Sequence, residues 1–224
     1  MPTVEKDILQ TSRKISAVKK IVKNKAAEVE DMVITPSAIG KTDWRTLEFA
    51  HPERTIRIGT LFSGIGAIEH AFQRLHLNHE IVFAGDIDAN CKKSYFANYN
   101  ITEDRWFTDI REFNAKPYKG DVDFIIGGAP CQAFSMVGKR FGFEDARGTL
   151  FYDFARVIKE TQPKLFLFEN VQGLLNHDKG KTWKVIYTIF KELGYDVHFR
   201  VLNSKDYGIP QHRERLYCLG FKRK

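Results

Sequence analysis

From Thr55 onward the chain alternates between short apolar runs and stretches with helical spacing, and this alternation limits the fold more than any other feature. "TIRIGTLF", "EIVFAGD", "DVDFII" and "KLFLFENV" read as strands, because apolar and β-branched residues dominate them and glycine, proline or charge bounds them. "GIGAIEHAFQRL", "ANCKKSYFANY", "LFYDFARVIKE" and "KTWKVIYTIFKEL" read as helices between them, the last ending at Gly194. A short further strand is expected around Trp106 and Phe107, and "YDVHFRVLN" and "RLYCLGF" suit two closing strands able to pair antiparallel. The pattern predicts an α/β fold, a mostly parallel open sheet with helices on both faces and an antiparallel end strand. Ligands of such sheets bind at the carboxyl ends of the strands, near the switch in strand order. The residues that leave each strand are therefore where chemistry is sought.

Residues 1–54 are of another kind. Ile8, Ile15, Val18, Val22 and Val29 recur at roughly helical intervals among lysines and arginines, and a polar connector follows through Pro36, Gly40 and Pro52. The expected division is a basic helical extension and linker over 1–54 and a cofactor-binding and catalytic domain over 55–224. With 35 Lys and Arg against 28 Asp and Glu, the net charge of +7 suits a polyanionic partner such as nucleic acid, and equally a merely soluble basic protein. Cys91, Cys131 and Cys218 are widely spaced, odd in number and form no CxxC pair, which argues against a disulfide framework and a structural zinc site. The seven histidines form no metal-like cluster, so no metal is expected. No apolar run has the length of a membrane span and the N-terminus has no signal-like core, so a cytoplasmic location without membrane contact is expected.

Four strand exits carry candidate chemistry. "FSGIGA", Phe62 to Ala67, places glycines and a helix N-terminus after the first strand, where a backbone can approach a ligand closely. "GDID" closes the second strand about twenty residues on, and an acid there, Asp86, can accept hydrogen bonds from ribose hydroxyls; the alternative is an ordinary capping or loop acid. Together they suggest an adenosine-containing cofactor, and the absence of GxGxxG does not favour NAD. "GGAPCQAFS" follows the fourth strand: Pro130 stiffens the backbone, Gly127 and Gly128 clear space, and Cys131 is either a nucleophile facing the crevice or a small buried apolar residue. The polar, glycine-rich stretch from Gln132 to Gly148 suits a mobile covering loop. Glu169 emerges from the apolar run "FLF", which favours a raised pKa and an acid role, or else it is a capping residue. In "YGIPQHRER", Gln211, Arg213 and Arg215 share one side of an extended segment, with His212 on the other; two guanidiniums can grip a carbonyl, phosphate or carboxylate, although RxR is a frequent surface pattern.

In this order, "FSGIGA", "GDID", Asp109-Ile110, "GGAPCQAFS", "RGTLF", "FENV" and "LNSKDYGIPQHRER" resemble the DNA (cytosine-5) methyltransferases, from about Ile56 to Phe221. The resemblance implies a Rossmann-like domain that binds S-adenosyl-L-methionine. It assigns Phe62, Gly64, Ile65 and Gly66 to the cofactor pocket, Asp86 to the ribose, Ile87 and Asp109-Ile110 to the two sides of the adenine, and Pro130 and Leu150 to further contacts. Ala67 stands where the family usually has a second glycine, a small change. The same resemblance makes Cys131 the nucleophile toward C6 of a flipped cytosine, Glu169 the group at N3, Arg215 the holder of O2 and Arg213 its helper. Gln132, Ser135, Asn170 and Gln211 fall on the substrate side, with Arg140 also available to the vacated DNA. Double-stranded DNA is the implied partner, in a bacterial cytosol or nucleoid. The family's target-recognition region and last segments have no counterpart in the sequence. The chain is therefore expected to be one subunit of a split enzyme working with a second protein chain, a truncated product, or an inactive DNA- or partner-binding remnant; tRNA cytosine-5 methylation is the alternative activity.

Overall fold

The computed structural model describes residues 50–130 and 150–224, all within one compact unit, Glu48–Lys224. The basic helix expected near the N-terminus lies outside these residues, as do Cys131, Gln132, Ser135, Arg140 and the covering loop.

Among the described residues, seven strands form one sheet: β1 (Ile56–Leu61), β2 (His79–Gly85), β3 (Trp106–Phe107), β4 (Phe124–Gly127), β5 (Leu165–Val171), β6 (Tyr195–Asn203) and β7 (Glu214–Lys222). Their order is β3-β2-β1-β4-β5-β7-β6. Pairing is parallel from β3 through β5, and β7 then runs antiparallel to both β5 and β6. The chain leaves β1 in one direction along the sheet and returns to the other side at β4, so the switch point lies between these two strands. The antiparallel pairing expected at the end of the sheet is present, made by β7, which lies between β5 and β6.

Alternating side chains divide the core into two layers. Ile125, Phe166 and Phe168 face α3 (Leu150–Thr161) and α4 (Lys181–Glu192), where Phe154, Phe190 and Tyr195 complete an aromatic cluster; the Phe166 and Phe190 rings lie 4.3 Å apart. On the opposite face Ile58 and Ile126 pack on Phe72 of α1 (Ala67–Arg74), while Tyr95 of α2 (Ala89–Asn98) packs with Trp106. α3 and α4 each bury a broad, mainly apolar face, as their sequence periodicity requires. Asp88 starts α2 by accepting the Asn90 N–H at 2.7 Å. At the amino ends of the strands, Asp123 accepts from Arg57 Nε at 3.0 Å and Lys164 Nζ at 2.8 Å, tying β1, β4 and β5 together. Their carboxyl ends are left to the loops that carry the site.

Candidate active site

The loops that leave β1, β2, β3 and β4 enclose, with the start of α3, a cavity of about 520 Å³. Its size is that of a small-molecule site. Phe62, Asp86, Ile87, Asp109, Ile110, Pro130 and Leu150, seven positions expected at the cofactor, all line it. Gly64, Ile65 and Gly66 are not among its walls: this part of the turn packs backward and outward. The Gly64 N–H donates to Asp86 Oδ2 at 2.9 Å, the Gly66 carbonyl accepts from Tyr99 Oη, and Ile65 is 64% exposed. Gly66 has φ +87°, and a Cβ there would meet the Tyr99 ring at 2.0 Å, so both the backbone and the space demand glycine. Phe62 also sits in the left-handed region at φ 56°, a conformation costing about 1–2 kcal/mol. It is held by Ser63, whose N–H donates to the Gly85 carbonyl while its Oγ accepts from the Gly85 N–H, both at 3.0 Å.

Beneath this turn is a polar cluster that no sequence pattern announces. Glu69, in the first turn of α1, is completely buried, and its Oε1 accepts from Thr60 Oγ1 at 2.8 Å and from Tyr95 Oη. Thr60 Oγ1 in turn shares a hydrogen bond with Ser63 Oγ at 2.9 Å. One carboxyl group thus fastens β1, α1, α2 and the turn that presents Phe62. A glutamate near a helix N-terminus reads as a solvated dipole partner; only its spacing three residues before the buried Phe72 placed it on the inner stripe.

Thr108, Arg111, Tyr152 and Asp153 line the cavity without having been foreseen. They are single loop or helix-start residues with no pattern of their own. Arg111 pairs with Asp109 and holds that carboxyl below its ordinary range. Burial raises the Asp153 carboxyl, opposed by Arg156. Arg156 also donates to the carbonyls of Ile110 at 2.6 Å and Phe113 at 2.9 Å, so α3 grips the turn after β3.

Next along the sheet, β4 and β5 bring a second group together. β5 extends through Glu169, because β7 pairs with it as far as Val171↔Arg215. Glu169 Oε1 lies 3.1 Å from Arg215 Nε, and its Oε2 lies over Gly128, where a Cβ would come within 2.6 Å. Burial raises the Glu169 carboxyl, while Arg215 and then Arg213 pull it back down. Arg215, expected at a substrate carbonyl, here holds Glu169 and donates through Nη1 to the Glu214 carbonyl at 2.8 Å. Arg213 is exposed just before β7, its N–H donating to Asn203 Oδ1 at 3.2 Å. Gln211 is exposed in a turn, its N–H on the Ile209 carbonyl at 2.7 Å; the strand starts only at Glu214, so the shared side expected for Gln211, Arg213 and Arg215 does not extend to a common strand. Asn170, expected on the substrate side, is buried and turned inward. Its Nδ2 donates to the Ala129 carbonyl at 2.8 Å and its Oδ1 accepts the Val171 N–H at 2.9 Å, so it joins the end of β5 to the exit of β4. Among the described residues, no group of three His, Cys, Asp or Glu side chains is placed to hold a metal ion, and no helix is long and apolar enough to cross a membrane.

Comparison with known proteins bears on what this arrangement is. Residues 56–224 match the family described as C-5 cytosine-specific DNA methylase. The orphan methyltransferase M.SPRI of Bacillus phage SPR is 46% identical over 167 residues, covering 75% of this chain and 38% of that protein. The type II methyltransferase M.HpaII of Haemophilus parainfluenzae is 45% identical over 164 residues, covering 72% and 44%. The chain thus spans less than half the length of these relatives. Among solved structures, the fold resembles that of the S. pombe Dnmt2 methyltransferase, with TM-score 0.60 at 24% identity over 75% of this chain and 50% of that one. A Spodoptera frugiperda DNMT2 mutant gives TM-score 0.59 at 26% identity, with the same coverage. By the extent of the family match and by these identities, the chain belongs to the C-5 cytosine-specific DNA methylases.

Proposed function

We propose that this chain transfers a methyl group from S-adenosylmethionine to C5 of cytosine in double-stranded DNA, through a covalent bond between Cys131 and C6. The observation that carries the proposal is the Glu169–Arg215 pair, seated over Gly128 at the strand end beside the cavity wall made by Pro130. The cavity fits the cofactor: Phe62, Ile87, Pro130 and Leu150 offer apolar walls, Asp86 an acceptor for ribose hydroxyls, and the excess of carboxylates suits a cation. When bound, S-adenosylmethionine supplies an electrophilic methyl group on a sulfonium.

The chain's own residues make cytosine C5 able to accept it. The Cys131 thiolate adds to C6, forming an S–C6 bond and moving the C5=C6 electron pair toward C5 as an enamine. Charge that builds on the ring is met at N3 by Glu169, whose carboxyl is raised by burial and therefore holds its proton to higher pH than an exposed glutamate. Arg215 holds the O2 carbonyl by turning one N–H from the protein to the base, and Arg213 adds positive charge at the rim. Loss of the C5 proton then reforms the double bond and expels the thiolate. Asn170 keeps the carbonyl two residues ahead of Cys131 fixed to β5, which limits wander between nucleophile and acid.

The reading extends to a second polypeptide that supplies target recognition. What supports it is that Leu165, Leu219 and Phe221, on the sheet face opposite α3 and α4, belong to none of the buried clusters, and Phe221 is 49% exposed. A bacterial cytosolic setting goes with the same reading.

The test is trapping. The chain, with and without a candidate recognition polypeptide, is incubated with labelled S-adenosylmethionine and duplex DNA containing 5-fluorocytosine, which cannot lose its C5 substituent as a proton. A covalent adduct that disappears in Cys131→Ser is expected. Transfer to tRNA and not to DNA would overturn the substrate, and tight DNA binding without any adduct would leave a binding module instead.

A further inference from the structure

We infer that Arg111 is a positioning residue: it presents the Asp109 carboxylate to the exocyclic amine of the cofactor's purine, and so sets a preference for adenine over a purine lacking that amine. The inference rests on the cofactor reading above and assigns a specificity determinant within the same cavity.

Strand order fixes which end of the cofactor meets Asp109. Along the carboxyl edge of the sheet come Asp109 after β3, Asp86 after β2, the Phe62 turn after β1, Pro130 after β4 and Glu169 near the end of β5. The reacting methyl must lie toward β4 and β5, where Glu169 and Arg215 are. The purine, at the other end of the molecule, therefore lies toward β3. Among the described residues, Asp86, Asp109 and Asp153 are the carboxylates on the cavity walls. Asp109 is the one that follows β3, the strand end toward which the purine lies, and is therefore the acceptor nearest it.

Arg111 determines how Asp109 is held. Its backbone N–H and its Nε donate to Oδ1, both at 2.9 Å, while Nε at 3.0 Å and Nη2 also reach Oδ2. Three N–H groups on a carboxylate with about four lone-pair sites leave roughly one site open, enough for one amine hydrogen. The fork fixes the plane of the carboxylate as a monodentate contact would not. Arg111 is itself 64% exposed along its side chain, and an exposed ion pair contributes little to folding. Its effect is then on ligand geometry. A purine with a carbonyl in place of the amine would set oxygen against carboxylate and lose the contact.

The test is calorimetric binding of S-adenosylhomocysteine and S-inosylhomocysteine to the full chain and its variants. The unmodified chain should prefer the adenosyl ligand by about 10-fold, the worth of one hydrogen bond to a charged acceptor. Arg111→Ala should weaken the adenosyl ligand by about 5-fold and leave the inosyl ligand nearly unchanged, most of that preference being lost. The ligand-free melting temperature should stay put. Arg111→Lys, which keeps charge but not the fork, should recover only part of the preference. In an Asp109→Asn background the Arg111 substitution should have no further effect. Full discrimination retained in Arg111→Ala, or equal weakening of both ligands, would overturn the inference; should that variant not fold, the same criterion is applied to Arg111→Lys. Failure of the unmodified chain to bind either ligand would instead remove the cofactor reading itself.

Discussion

Gly128→Ala isolates the position of Glu169 from its chemistry. Gly128 is not in the left-handed region, so alanine meets no backbone penalty there. The added Cβ, however, would stand 2.6 Å from Glu169 Oε2 and 3.3 Å from the Glu169 carbonyl oxygen. Ordinary contact begins near 3.4 Å, so the carboxyl must retreat by nearly 1 Å. The backbone carbonyl is pinned within the β5–β7 ladder and cannot share the movement. A displacement of ~1 Å at a reacting group costs on the order of 10²-fold in rate. We expect adduct formation with 5-fluorocytosine DNA to slow by about that factor in Gly128→Ala, with the affinity for S-adenosylhomocysteine unchanged, because Gly128 is not a wall of the cofactor cavity. In a Glu169→Ala background the same substitution should cost nothing more, since coupled residues are not additive. Wild-type adduct rates in Gly128→Ala, or an equal loss in the Glu169→Ala background, would refute the reasoning. Its neighbour makes the contrast. A Cβ on Gly127 would lie 2.5 Å from the Leu61 carbonyl oxygen, backbone against backbone between β1 and β4, and Gly127→Ala should therefore lose the fold before it loses the chemistry.

Three further outcomes follow from the same geometry. Burial raises the Glu169 carboxyl, so its protonated form persists to higher pH than usual; adduct formation should fall as pH rises through that pKa, and Glu169→Gln, slower throughout, should lack this limb while keeping cofactor affinity. Loss of cofactor binding in that variant would show that Glu169 does not face the base. Thr60→Val keeps shape but removes the hydroxyl shared by Glu69 and Ser63; urea unfolding should show a loss of about 1–3 kcal/mol, accompanied by weaker S-adenosylhomocysteine binding, and unchanged stability would exclude a structural role for the cluster. Asp123 is held well below the carboxylate range, first by Arg57 and also by Lys164. Because its folded pKa is depressed, its stabilisation is present above about pH 4 and is lost as pH falls further, an effect on the order of 2 kcal/mol. Asp123→Asn should flatten that part of the stability–pH curve, and an unchanged acid limb would contradict it.

How far the sequence reveals this protein depends on whether a residue's partner is near or far along the chain. The strands and helices were legible because their signals are local: alternation, apolar stripes, and glycine at the turns. The raised carboxyl of Glu169 was legible for a related reason, since three apolar neighbours in its own strand already imply partial burial. The insertion of β7 between β5 and β6 was not, because register such as Leu167↔Leu219 depends on residues 52 positions apart that carry no mark of each other. The same holds for single side chains. Asn170 beside Glu169 reads as a second substrate contact, yet its amide is claimed by the Ala129 carbonyl 41 positions away.

Arg111 and Glu69 show the two ways in which polar residues escape a linear reading. Arg111 lies only two residues from Asp109, but an i,i+2 pair in a loop has no regular geometry, and only the fold shows both on one cavity wall. Glu69 carries the most solvated type of side chain into full burial, where hydroxyls from elsewhere offset part of the cost; Thr60 and Tyr95 both bond its Oε1, from β1 and α2. Both residues hold other polar groups in place, Arg111 the Asp109 carboxylate and Glu69 the Thr60 hydroxyl that in turn meets Ser63. Motifs expose the atoms that touch substrate, because their chemistry restricts the residue type. The residues that aim those atoms are restricted by geometry alone, and they become visible only when the strand ends are brought together.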